Sequence, residues 1–197
     1  MHINGSITAG YTNSNTEIFH PVITQKNLLL YGAADIIAGM MSGSGGYQIS
    51  HMYFQYINQT ENAYTPEPIN RSSGRSNFTQ LGGSSNIDYL RVPILTTPRI
   101  SKSPANSSDY NGNNVMFSAT TASIGTVGNL SGASSVPKYF NSIGDNGPSR
   151  IFSVALVSAR DIEDPASDVI FSRLNLVSPL TVIVGAHPTV YWSIRIS

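Results

Sequence analysis

Apolar and polar positions alternate most clearly at the end of the chain. Over 190–197, Val190, Trp192, Ile194 and Ile196 share one parity, while Tyr191, Ser193, Arg195 and Ser197 share the other. Successive side chains of a strand point to opposite sides, so this pattern predicts a strand with one dry face and one wet face. Residues 151–159 are apolar at both parities apart from small serines. That is the pattern of a strand in the middle of a sheet covered on both sides. The whole stretch 150–197 holds four apolar runs of strand length. Turn-forming residues separate them, with the acidic segment 161–168 as the first turn and Pro179 and Pro188 as later breaks. The centre of the core is therefore expected here, with a C-terminus that is structural.

The chain before it is less regular. In residues 1–23 the apolar positions Ile3, Ile7, Tyr11, Ile18, Phe19, Val22 and Ile23 are isolated among Asn and Thr. They predict an extended arm that orders against a neighbour, with an edge strand of the domain's own sheet as the alternative. From Thr24 the period changes to 3.6: Leu29, Ala33, Ile36, Ile37 and Met40 fall on one helical face. A helix over 26–41 follows, with Thr24 as the N-cap and the Gly-rich 42–46 as its end. A Gly-rich loop after a helix has the wrong order for phosphate binding, which needs the loop before a helix N-terminus.

Residues 47–57 predict a strand with Met52, Phe54 and Tyr56 in phase. Segment 58–85, rich in Pro, Ser, Asn and Gly, reads as a long loop available for contact with another subunit. In 88–101, Leu90, Val92 and Ile94 are in phase, and Pro93 and Pro98 assign that strand to an edge or a bulge. Asn111-Gly112 marks a turn before a strand at 115–122, and 123–149 is again loop-like. The domain reading is an arm at 1–23 and a mainly β domain at 24–197 containing the helix 26–41.

Composition narrows the function classes. Charged residues are 11% of the chain, with Lys+Arg and Asp+Glu balanced at 11 each, against about 25% in ordinary soluble domains. A neutral surface of Ser, Asn, Thr and Gly has little field to draw in nucleic acid or an anionic membrane, so neither is an expected partner. It suits a protein that packs against other subunits. With no cysteine, disulfides and thiolate chemistry are excluded. The first twenty residues have neither the basic start nor the apolar run of a signal peptide, and no stretch has the apolar length of a membrane span.

Candidate chemistry is sparse. Asp161, Glu163, Asp164 and Asp168 form the one carboxylate cluster, but their spacing is not that of a twelve-residue calcium loop. Asp88, Asp109, Asp145 and Glu67 lie in or beside turns, with nothing marking a catalytic pair. His51 stands alone in its strand, far in sequence from His2, His20 and His187. No G-x-S-x-G elbow singles out a serine. The N-x-S/T sequons are expected by chance in a chain this rich in Asn, Ser and Thr. Tyr47, Tyr53, Phe54 and Tyr56 are read as core or cross-strand aromatics before any stacking role. The expected catalytic, cofactor-binding and metal-binding sets are all empty.

The order of these features resembles bacteriophage virion proteins of the tail, collar and fibre-attachment type. The resemblance rests on NLLLYGAADIIAGMM followed by ISHMYFQYINQT, on NVMFSATTA, and on IFSVALVSA, VIFSRLNLVSPLTVIVG and VYWSIRI, over roughly residues 27–197. One position departs from it: Ser153 stands where this class often has an acidic residue. The resemblance implies a jelly-roll-like antiparallel β-sandwich with one helix at its edge or base. It also implies a virion scaffold without an active site or cofactor, forming a ring or trimer at the neck or tail. The partners would be other copies of the chain and neighbouring portal, tail or capsid proteins. A capsid decoration protein and a receptor- or carbohydrate-binding tail module are the alternatives, with a depolymerase a more distant third.

Overall fold

The computed structural model describes residues 3–43, 47–57, 69, 87–94, 99–101, 114–121, 150–161, 167–181, 183 and 185–196. Their elements are β1 Ile3–Asn13, β2 Phe19–Lys26, β3 Leu28–Leu29, α1 Tyr31–Met41, β4 Gln48–Ile57, β5 Ile87–Pro93, β6 Arg99–Ser101, β7 Asn114–Thr120, β8 Arg150–Ala159, β9 Val169–Thr181 and β10 Ala186–Ile196. One sheet has the order β2-β1-β10-β7-β6 and the other β3-β9-β8-β4-β5. Every strand pairing is antiparallel.

A single apolar cluster joins the two sheets. Ile7, Phe117, Val190, Trp192 and Ile194 enter it from the first sheet, and Met52, Phe54, Val154, Leu156 and Leu174 from the second. Burying each such side chain stabilises the fold by about 1.5–3 kcal/mol. Along β10 the alternation holds: Val190 and Trp192 are sealed from solvent, while Arg195 is exposed. β8 is the middle strand of its sheet and is buried from Ile151 to Ala159, as its continuous apolar run requires. β5, which ends at Pro93, is an edge strand.

Three expectations are corrected. The first is the arm at 1–23, which instead forms the interior strand β1 and the start of β2, the edge strand of the same sheet that the alternative reading expected. β1 is an interior strand between β2 and β10, with Ile7 and Ala9 fully buried. Ile3, Ile7, Ala9 and Tyr11 do share one parity, but the run is broken at Gly5. A Cβ there would lie 1.9 Å from Asn27 Oδ1, so the side chain of Asn27 fills the space that an apolar residue would mark. Gly10 is similarly constrained, since a Cβ would meet the carbonyl oxygen of His20 at 2.1 Å, beside the shift in β1–β2 register.

The second correction is the helix start. Thr24 and Lys26 belong to β2, and Leu28 and Leu29 pair with Arg173 and Ser172 of β9. The Asn27 amide donates to the Gly5 carbonyl at 3.1 Å and its side-chain amide to Ser172 Oγ, which holds this segment extended. Tertiary pairing overrides helix propensity here. α1 starts at Tyr31 after Leu30, without a side-chain cap, and ends where the Ser42 and Gly43 amides donate to Ala38 and Met40 carbonyls. Ala33 and Ile36 face the core, whereas Met40, placed on that face by periodicity, is 50% exposed.

The third concerns the C-terminal stretch, whose four apolar runs give three strands. β9 continues through Pro179 to Thr181, and Ile183 makes only an isolated bridge to Ala186. β10 then crosses to the other sheet, where it pairs with β1 and β7.

Candidate functional site

Residues 51–55 of β4, 151–159 of β8 and 170–174 of β9 are buried at both parities. Across the sheet Arg91 lies opposite Tyr53, Tyr53 opposite Ala155, and Ala155 opposite Arg173. This row faces away from the shared core. His51, Tyr53, Gln55, Ser153 and Arg173 on that side are each 5% exposed or less. Leu30, Tyr53, Ala155, Val157 and Ile170 form a second apolar cluster there, against which Ile69 packs. Ile69 is the one described residue of the 58–85 segment, so the expected subunit-contact loop otherwise lies outside the described residues.

Within this second layer sits the most elaborate polar constellation of the described residues. Asp168 immediately precedes β9. Its carboxylate accepts from Arg91 Nε at 2.7 Å and Arg91 Nη2 at 3.0 Å, a two-pronged ion pair, and also from the Tyr53 hydroxyl. The Asp168 side chain is 0% exposed and that of Arg91 10%. Arg91 Nη1 donates to His51 Nε2 at 3.0 Å. A bulge in the β4–β8 pairing makes Ser50 the extra residue, and Ser50 Oγ lies 2.8 Å from His51 Nδ1. Bulges commonly re-aim a side chain in this way.

The electrostatics fix the state of His51. Burial, and then the positive charge of Arg91, lower its pKa from 6.5 to about 4, against an opposing pull from Asp168. The ring is therefore neutral at pH 7, with Nε2 accepting from Arg91 and the proton on Nδ1. That proton is directed at Ser50 Oγ. To activate a serine nucleophile, the unprotonated nitrogen would have to face the hydroxyl. Here the protonated one does, so Ser50 is oriented and not activated. The constellation is suited to joining β4, β5 and the start of β9.

A pH dependence follows. The unfolded chain binds a proton at His51 near pH 6.5, and the folded chain only near pH 4. The stabilisation from neutral His51 is thus complete above about pH 6.5 and is lost as the pH falls toward 4. At about 1.4 kcal/mol per pKa unit the loss is about 3 kcal/mol. Urea midpoints measured from pH 7 to pH 4 should fall in the native chain and fall less in His51→Gln.

No family model matches the chain, and neither does any curated protein or solved structure.

The sequence candidates are dispersed. The acidic cluster is divided, with Asp161 exposed beside Ser167 and Asp168 buried in its ion pair, while Glu163 and Asp164 lie outside the described residues. Glu67, Asp109, Asp145, His2 and the side chain of Asp88 lie outside them as well. Among the described residues no three of His, Asp and Glu converge as metal ligands. No described helix is long and apolar enough to cross a membrane. Tyr53 and Phe54 are fully buried on opposite faces of β4, and Tyr47 lies under the Arg160 guanidinium, 5.8 Å from ring centroid to cation.

Sequence reasoning missed Arg91 and gave Asp168 the wrong role, because the pair is separated by 77 positions. The available signal was a lone arginine between Leu90 and Val92 in an apolar strand.

Away from this layer, a groove of about 1080 Å³ runs along α1, with Leu29, Ile37 and Met41 among its apolar lining and Lys26 and Arg195 among its polar residues.

Proposed function

We propose that the chain is a non-enzymatic structural component of a bacteriophage virion. In this reading it is a neck or tail protein, of the collar, adaptor or fibre-attachment kind, and works through contacts between subunits. Its two sheets would form a jelly-roll-like sandwich that serves as a rigid unit of the particle. The observation that carries the reading is the internal use of its buried polar groups. Asp168, Arg91, Tyr53 and His51 satisfy one another beneath a covered sheet face, while Tyr31, Met41 and Val177 stand exposed at 61%, 82% and 76%. Exposed large apolar side chains on a weakly charged surface suit contact with other proteins.

Position 153 remains a departure from this resemblance. Ser153 Oγ receives a contact of 3.4 Å from the buried Arg173 Nε. A carboxylate, as the class often has there, would stand beside a cation.

Imaging phage particles that carry a tag on this chain tests the proposal. Density confined to the neck or tail is expected. Density spread over the capsid would transfer the role to decoration, and glycan retention by the purified chain would favour a recognition module. Turnover of a polysaccharide would overturn the non-enzymatic reading.

A further inference from the structure

We infer that the groove between α1 and the first sheet binds a single-tailed amphiphile with an anionic head, of the fatty-carboxylate class. The inference goes beyond the assembly reading and does not rest on it.

The two sides of the groove differ in chemistry. One side is α1 and the segment before it, where Leu29, Leu30, Ala34, Ile37, Ala38 and Met41 line it. None of these side chains carries a strong donor or acceptor. From Tyr31 to Met41 this wall runs about 15 Å along the helix axis. The other side is the outer face of the first sheet near the start of β1. Ser6 lies opposite Lys26 of β2 and Ser193 of β10, and Asn4 lies opposite Arg195 of β10. Directly opposed residues of antiparallel strands share a face, so these five side chains are together on the side away from the core residues Ile7 and Trp192. All five line the groove. Lys26 and Arg195 stand on the strands either side of β1, about 10 Å apart in the hydrogen-bonding direction. Two long side chains can close that span around one small anion, over a floor of hydroxyl and amide groups.

Charge and polarity together select the occupant. Lys26 and Arg195 are exposed, and neither is in an ion pair among the described residues. No aspartate or glutamate is among the described residues that line the groove, and Asp35, the acidic residue of α1, is not one of them. The groove therefore carries two positive charges with no counter-charge of its own, and an anionic head complements it. The apolar wall decides what the head is attached to. An extended peptide lying along α1 would leave backbone N–H and C=O groups against side chains that cannot pair with them, whereas a hydrocarbon tail has no such groups. A second copy docking by the same face would bring two more cations and no carboxylate. A long apolar lining with a few placed polar groups is the ordinary form of a small-molecule site, and about 1080 Å³ accommodates both head and tail.

Isothermal titration of the full chain with dodecanoate, below its micelle concentration, tests this, with dodecyltrimethylammonium as the cationic counterpart. Dodecanoate should bind one to one, and dodecyltrimethylammonium should not bind. The double variant Lys26→Gln/Arg195→Gln and, separately, Ala38→Asp should each raise the dissociation constant for dodecanoate about tenfold or more. All three positions are exposed, so thermal unfolding of each variant, followed in parallel, should show a folded protein. Absence of dodecanoate binding overturns the inference. So does binding that is unchanged in either variant or equal for the two amphiphiles, which is adsorption to apolar surface alone. Retention of the chain by phosphatidylglycerol vesicles without binding of monomeric dodecanoate moves the site to a membrane surface and also overturns it. Each of these results leaves the assembly reading untouched, because that reading is tested by imaging the particle.

Discussion

Asp168→Ala is expected to lower the unfolding free energy by about 3–5 kcal/mol, as loss of one partner from a buried ion pair does. The variant leaves the Arg91 guanidinium with its side chain only 10% exposed and without its carboxylate, and removes the Asp168 oxygen to which the Tyr53 hydroxyl donates. It also leaves that charge 3.0 Å from His51 Nε2. Arg91→Ala should be similarly severe, because it strands a fully buried carboxylate. Removing both should cost much less than the sum, since each single change is dominated by the charge it leaves behind. Urea unfolding of the two single variants and the double variant measures this. Single losses under about 1 kcal/mol would place the pair with exposed salt bridges and contradict the geometry.

Deletion of residues 1–13 is expected to abolish cooperative folding altogether. β1 pairs with β10 from Ile3↔Ile196 to Asn13↔Ala186 and also carries β2. Its removal would separate β2 from its sheet and expose the edge of β10 beside Trp192, which is opposite Ile7. An appended arm, the reading suggested by the scattered apolar residues of this region, would instead leave a folded body when removed. Near-ultraviolet circular dichroism, which reports the packing of the chain's one tryptophan, distinguishes the two. A deletion variant with a native-like signal and a sharp melting transition would contradict the interior position of β1.

Legibility in the sequence followed how local the determinants are. β8 and β10 were readable because each carries its own instruction: an unbroken apolar run for a strand covered on both sides, and a strict alternation for one that is half-covered. The core side of α1 was readable for the same reason, through Ala33 and Ile36. The start of α1 was not, because what holds Asn27 to Leu29 extended is Gly5 on one side and Ser172 on the other, residues far away in the chain. β1 was obscured by the same contact seen from Gly5. Its in-phase position holds no apolar side chain because Asn27 occupies that space.

The buried polar layer was the least legible. A lone arginine in an apolar strand is detectable, but its carboxylate stands in a turn that reads as solvated. Only the pairing of β4 with both β5 and β8, together with that of β8 with β9, brings the two groups to one face of the sheet. The exposed side of α1 was overlooked for a simpler reason. Periodicity credited Met40 to the core face, although it is half-exposed, and passed over Met41.

Quantitative mass spectrometry of purified phage particles tests the account's central claim most directly. The proposal predicts that peptides of this chain occur in the particle at a fixed ratio to a protein of known copy number, corresponding to a small symmetric set at the neck or tail. Infectious particles that lack the chain entirely would contradict it.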